Sequence, residues 1–247
     1  MRLLYITIIA LIITLPTACS KDAAADASAS SGTGGSLARF TIAANHLYLV
    51  DYSTIEIYDL KDPASPVKKT PVNVGWGIET IYPYQDKLFV GSSTGMFIYS
   101  IANPSSPVKL GEALHVRSCD PVVANDKTAY VTLRGSGRCG AAVDGLYIYD
   151  VSNILKPVQQ SLLPLSNANG LGLKDFVVFV CRANDGLSLV NVKNPSSPKL
   201  MYTITGGDNF IDVISYDNLL ICYVGKGLMV YDISNLNQIT KVSTINY

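Results

Sequence analysis

Glu79, Asp120 and Asp212 are the carboxylates whose spacing first suggests chemistry: Glu79 and Asp120 stand 41 residues apart, and Asp212 falls close to the same phase. Two facing carboxylates can act as general acid and general base, and inverting glycoside hydrolysis sets such a pair roughly 6.5 to 9.5 Å apart. Near them in phase lie Trp76 between Gly75 and Gly77, then His115, Arg117, Arg134, Arg138, Asn167 and Asn169. A lone indole flanked by glycines suits stacking on a sugar or a peptide. The candidate ligand face is therefore Trp76, Glu79, His115, Arg117, Asp120, Asn169 and Asp212. A plainer reading makes these solvated loops whose acids cap turns, with Trp76 a plug between sheets. No G-x-S-x-G elbow, phosphate-binding glycine loop or H-E-x-x-H is present, so no motif supports catalysis. A binding role ranks first and catalysis second.

The chain that must position these residues has 247 of them, with 48% hydrophobic, 15% charged, and Lys+Arg 19 against Asp+Glu 19. Nucleic-acid binding needs uncompensated cations that release phosphate counterions, so this balance argues against it. Mean hydropathy of +0.26 with zero net charge also excludes disorder of the whole chain.

One unit recurs five times. Ile57-Tyr58-Asp59-Leu60-Lys61-Asp62-Pro63-Ala64-Ser65-Pro66 returns as Ile98 to Pro107, Ile148 to Pro157, Leu189 to Pro198 and Val230 to Ile239. The spacings are 41, 50, 41 and 41, so the third unit carries a nine-residue insertion. In the second unit four strands are predicted: 78–82, 87–91, 96–101 and one starting at 108. Aromatic and β-branched runs mark them, and Gly, Asn, Asp, Ser and Pro punctuate them. A four-stranded unit of about 41 residues matches a propeller blade. Strands apolar on both sides, such as Leu47 to Val50 and Phe176 to Cys181, fit sheets sandwiched between neighbours. The expected fold class is all-β, a β-propeller of five four-stranded blades filling 38–247 as a single domain.

The unit resembles the LVIVD repeat, named for its third strand, which here reads Ile55-Glu56-Ile57-Tyr58-Asp59, Leu146-Tyr147-Ile148-Tyr149-Asp150 and Leu228-Met229-Val230-Tyr231-Asp232. The following Asn/Asp-Pro-x-x-Pro turn is kept in three units and degenerate in the third and fifth. The resemblance implies a bacterial surface or secreted β-propeller and names no chemistry, because propellers host unrelated functions.

The N-terminus reads as an address. Arg2 precedes the uncharged run Leu3 to Leu15, too short at about 1.5 Å per residue for a hydrocarbon core of about 30 Å. Pro16-Thr17-Ala18 before Cys19 resembles a lipobox, which implies a lipoprotein signal peptide at 1–18 and acylation of Cys19; an ordinary secretory signal is the alternative. Residues 19–37, rich in Ala, Ser and Gly, read as a flexible tether. Ser20-Lys21-Asp22 resembles the Lys-acid signal of lipoproteins sent to the outer face of the outer membrane, the periplasmic face being the alternative.

Four further cysteines fall into two pairs. Cys119 enters the third unit and Cys139 lies in its insertion, so both emerge on one face, where a disulfide is plausible in an oxidising compartment. Cys181 and Cys222 are 41 apart and are expected to be buried free thiols, one facing its neighbour blade and the other facing away. His46 is expected to be a packed or edge histidine. No metal or other cofactor is expected, since zinc sites need clustered ligands. The expectation is a lipid-anchored, non-catalytic surface propeller with a protein or glycan partner, held to the membrane by its N-terminal lipid. The alternative is a carbohydrate-active propeller using Glu79, Asp120 or Asp212.

Overall fold

The computed structural model describes residues 34–115, 121–135, 143–206 and 208–247, and all regular structure there is β-strand. Blade 1 comprises β1 (Phe40–Ala43), β2 (His46–Asp51), β3 (Thr54–Asp59) and an outer strand split into β4 (Val67–Lys68) and β5 (Val72–Asn73). Blade 2 is β6 (Ile78–Tyr84), β7 (Lys87–Ser92), β8 (Gly95–Ser100) and β9 (Val108–Leu114). Blade 3 is β10 (Val122–Ala124), β11 (Thr128–Leu133), β12 (Gly145–Asp150) and β13 (Val158–Pro164). Blade 4 is β14 (Leu171–Lys174), β15 (Val177–Cys181), β16 (Leu187–Asn191) and β17 (Lys199–Ile204). Blade 5 is β18 (Phe210–Tyr216), β19 (Leu219–Val224), β20 (Gly227–Asp232) and β21 (Thr240–Asn246).

Each blade is an antiparallel meander in sequence order. The outer strand of blade 1 breaks around Pro71, which cannot donate to a ladder. The insertion of the third unit falls between β11 and β12, as the repeat arithmetic places it, and 136–142 lie outside the described residues.

The Asp or Asn that opens each repeat turn does the same work five times. The side-chain oxygens of Asp62, Asn103, Asn153, Asn194 and Asn235 accept the N–H two residues on. Their carbonyls accept the N–H of Ser65, Ser106, Lys156, Ser197 and Gln238. The turn persists in the third and fifth units because this oxygen, rather than the degenerate prolines, closes it. The residue ending the third strand adds a second bond of the same kind: Asp59, Ser100, Asp150, Asn191 and Asp232 each accept the N–H two residues on. The aspartate that ends the third strand in three of the units is thus a turn cap. His46 is packed, its Nε2 2.8 Å from Ser105 Oγ and its Nδ1 2.8 Å from the Ala44 carbonyl. Beside it the Tyr48 hydroxyl donates to the Pro104 carbonyl at 2.8 Å, tying blade 1 to the turn of blade 2.

The apolar core is divided by blade junctions. Separate clusters join blades 1 and 2, 2 and 3, 3 and 4, and 4 and 5. Blades 2 to 4 bury most residues of their inner three strands, whereas β1 and β19 alternate buried with more exposed positions. No apolar cluster among the described residues joins blade 5 to blade 1.

Cys181 and Cys222 are both free, fully buried and in the same cluster between blades 4 and 5. The expectation that one thiol faces away does not hold, and ladder register explains why. Cys181 pairs with Leu187 across a five-residue gap, whereas the equivalent Tyr223 pairs with Leu228 across four. The extra residue in blade 4 shifts β15 by one position, and a one-residue shift turns a side chain to the other face.

Candidate functional site

The loop entering blade 2 is clamped from both sides. The Ser53 carbonyl accepts the N–H of Val74 at 3.0 Å, the Tyr52 carbonyl accepts that of Ile78 at 3.1 Å, and the Gly77 carbonyl accepts that of Ser93 at 2.8 Å. Gly75 and Gly77 adopt φ of 123° and 74°, a region where side chains are strained. A Cβ on Gly77 would also collide with Ser93 Oγ. These constraints hold Trp76 outward, 76% exposed, with its ring 5.5 Å from that of Tyr52 at an interplanar angle of 78°. Tyr52, itself 58% exposed, sits in the β2–β3 turn, where the Asp51 carboxylate accepts its N–H at 2.7 Å. Sequence reasoning missed Tyr52; the signal was its place in a second-to-third-strand turn, on the face chosen for the other candidates.

The remaining candidates are dispersed around this face. Glu79 is the half-buried extra residue of a bulge in β6, where Ile78 pairs with Ser92 and Thr80 with Gly91. His115 follows β9, and its N–H donates to the Thr94 carbonyl at 3.2 Å. The Asn169 carbonyl accepts the Thr132 hydroxyl, linking blades 3 and 4. Its neighbour Asn167 belongs to a polar network: its Nδ2 donates to Asp185 at 3.0 Å and its N–H to Asp144 at 3.0 Å. Arg182 Nε donates to the Ser166 carbonyl there at 3.0 Å. Arg117, Asp120, Cys119 and Cys139 lie outside the described residues, as do Cys19 and Arg138.

Asp212 is placed differently from the open channel-mouth acid that its spacing suggested. Ser36 Oγ donates to its Oδ1 at 2.9 Å and the Leu37 N–H to its Oδ2 at 3.1 Å. The Ser36 hydroxyl in turn accepts the Leu171 N–H at 2.7 Å. Burial raises the Asp212 carboxyl above the ordinary carboxylate value, and the bonds from Leu37, Val213 and Ser36 oppose that rise. The last residues of the expected tether therefore belong to the fold. A Gly- and Ser-rich stretch reads as solvated until a partner is known; here a Cβ on Gly35 would strike the Asp212 carboxylate, and Ser36 is buried. Beneath this strap a channel cavity of about 240 Å³ is lined by Gly34, Tyr82, Tyr84, Leu173, Ile214 and Ser215. Among the described residues no three His, Cys, Asp or Glu gather as a metal site.

Five sequential four-stranded sheets with an aromatic pair on one face define a five-bladed β-propeller. Residues 175–205 and 216–246, in blades 4 and 5, match the LVIVD repeat. Solved structures of similar fold include a protein from Lactobacillus plantarum (TM-score 0.64, 13% identity) and a functionally unknown protein from Desulfotomaculum acetoxidans (TM-score 0.61, 12% identity). A hypothetical selenium-binding protein from Sulfolobus tokodaii is also similar (TM-score 0.59, 12% identity). Each match covers 82% of this chain but 68%, 66% and 59% of those chains respectively, and at such identities the likeness concerns the fold alone. No curated protein matches the sequence.

Proposed function

We propose that the protein is a lipid-anchored, non-catalytic binding module on the bacterial outer membrane, presenting its Trp76 face to a glycan or protein partner. The Trp76–Tyr52 pair carries this reading. Two rings at a steep angle, fixed by backbone bonds on either side and left open to solvent, form a preorganised platform that loses little entropy on binding. Catalysis by paired carboxylates draws no support from Asp212, whose two oxygens are both occupied by the strap. Cys19 and the Lys-acid signal after it support the anchor and the surface address.

Crosslinking on intact cells followed by mass spectrometry, with a glycan array probed in parallel, tests the module. Wild type is expected to capture a partner that Trp76→Ala and Tyr52→Ala lose; retention by both variants contradicts the assigned face. For the anchor, wild type is expected in the membrane fraction with an acylated Cys19, and Cys19→Ser in the soluble fraction.

A further inference from the structure

One position of the repeat pairs a tyrosine of the third strand with a lysine of the outer strand, so that the two side chains share a sheet face. The pair is Tyr58 with Lys68 in blade 1, Tyr99 with Lys109 in blade 2 and Tyr231 with Lys241 in blade 5. Blades 3 and 4 place Gln159 and Leu200 where the lysine stands. Two of the three lysines are neutralised within their own blade. Lys68 Nζ is 2.6 Å from Glu56, which stands two residues before Tyr58. Lys109 Nζ is 2.6 Å from Glu112, the cross-strand partner of Phe97, and lies over the Phe97 ring at 4.7 Å.

Blade 5 has neither carboxylate. Met229 stands where Glu56 does, two residues before the tyrosine, and Thr244, the cross-strand partner of Met229, stands where Glu112 does. Among the described residues no carboxylate lies within ion-pair distance of Lys241. The Tyr231 hydroxyl donates to Met229 Sδ at 3.5 Å, and a thioether is a weak acceptor. Burial pushes this hydroxyl up to about 12, so it keeps its proton at neutral pH; Asp208 contributes least to that rise and does not line the space beside it. That space is a pocket of about 220 Å³ between blades 4 and 5, lined by Ile204, Phe210, Met229, Tyr231 and Lys241. The first four belong to the apolar cluster that joins these blades, and Lys241 lies at the exposed rim.

We infer that this pocket binds a small monocarboxylate with a short apolar tail, its carboxylate held by Lys241 and the Tyr231 hydroxyl and its tail lying against Ile204, Phe210 and Met229. The ligand supplies from outside the anion that Glu56 and Glu112 supply from within blades 1 and 2. An ammonium and a hydroxyl that both donate select an acceptor-only, charged head group, because charge-assisted bonds are the stronger ones. The walls select the tail, since apolar lining with a few convergent polar groups is the usual build of a small-molecule site. Volume limits its length: at about 30 Å³ per water in the liquid, the pocket holds roughly seven non-hydrogen atoms.

The test titrates the full-length chain, labelled at its methionine methyl groups, with sodium hexanoate and follows the Met229 methyl signal by NMR, assigned through Met229→Leu. Saturation with a Kd below about 1 mM is expected, and acetate, hexanol and hexylamine should each bind at least about tenfold more weakly. Lys241→Met is expected to weaken hexanoate at least about tenfold and Lys241→Arg to retain it, both with the wild-type melting curve because the side chain is exposed. Thr244→Glu restores the carboxylate of blade 2 and is expected to exclude hexanoate while the fold stays intact. Hexanol binding as tightly as hexanoate, a wild type that does not saturate, or hexanoate affinity unchanged in both Lys241→Met and Thr244→Glu would overturn the proposal.

Discussion

The indole of Trp76 stands edge-on to the phenol of Tyr52, 5.5 Å between ring centres, although the two residues belong to connections of different blades. Their mutual contact is a minor source of stability because both rings remain largely in water. Trp76→Ala is expected to lower the melting temperature by no more than about 2 °C, since a pair in this geometry is worth roughly 0.5 to 1.5 kcal/mol even when buried. Partner capture is expected to fall at least about tenfold. Calorimetry and a binding titration measured on one preparation separate the two effects; a large stability loss with unchanged capture would make Trp76 a structural plug.

The Ser36 to Asp212 bond joins the start of the fold to blade 5. Asp212→Ala strands the Ser36 hydroxyl and the Leu37 N–H, at a cost of roughly 1 to 3 kcal/mol. Asp212→Asn keeps an acceptor and removes the buried charge, so it is expected to cost less than the alanine at pH 7. The pH trend follows from the raised carboxyl. With its folded pKa above its unfolded one, the folded chain holds the proton more tightly; the penalty for ionised Asp212 is present at neutral pH and disappears as pH falls through the raised value. Wild type should therefore gain on Asp212→Asn between pH 7 and pH 4 in thermal melts, and the opposite trend would refute a buried, desolvated acid here.

Burial pushes the Cys222 thiol up to about 12 and raises that of Cys181, which Cys222 and Asp212 raise further. Since the thiolate is the nucleophile, both should resist iodoacetamide at pH 8 in the folded chain and react fully in guanidinium. Peptide mapping after labelling distinguishes them from Cys119 and Cys139. Labelling of either buried thiol in the native chain would show that the junction of blades 4 and 5 opens.

Asp150 accepts the Ser152 N–H at 2.8 Å, and that bond, with a second from the Ser152 hydroxyl, holds its carboxyl below the ordinary range. Asp59 and Asp232 are lowered for the same reason, by Lys61 and Ser234. Their folded pKa values lie below the unfolded ones, so their contribution is complete above the ordinary carboxylate value and is lost as pH falls through the lowered values. Asp150→Ala is expected to lower the melting temperature by about 2 °C at pH 7 and by less at pH 2.5. An undiminished difference at pH 2.5 would exclude the ionised cap.

The sequence by itself determined what repeats: five blades, their strand runs, the site of the insertion and the turn that closes each unit. Those features depend on neighbours a few residues apart, such as the Asn153 oxygen and the Leu155 N–H, and survive loss of the prolines because the local bond suffices. Only the tertiary structure decided what depends on contacts between blades. Spacing aligned Cys181 with Cys222, yet one additional residue in a connection turned both thiols into a single junction. The Gly- and Ser-rich stretch before residue 38 gave no hint that Ser36 matches a buried acid 176 residues away. Tyr52 became a site residue only when folding brought its turn beneath Trp76.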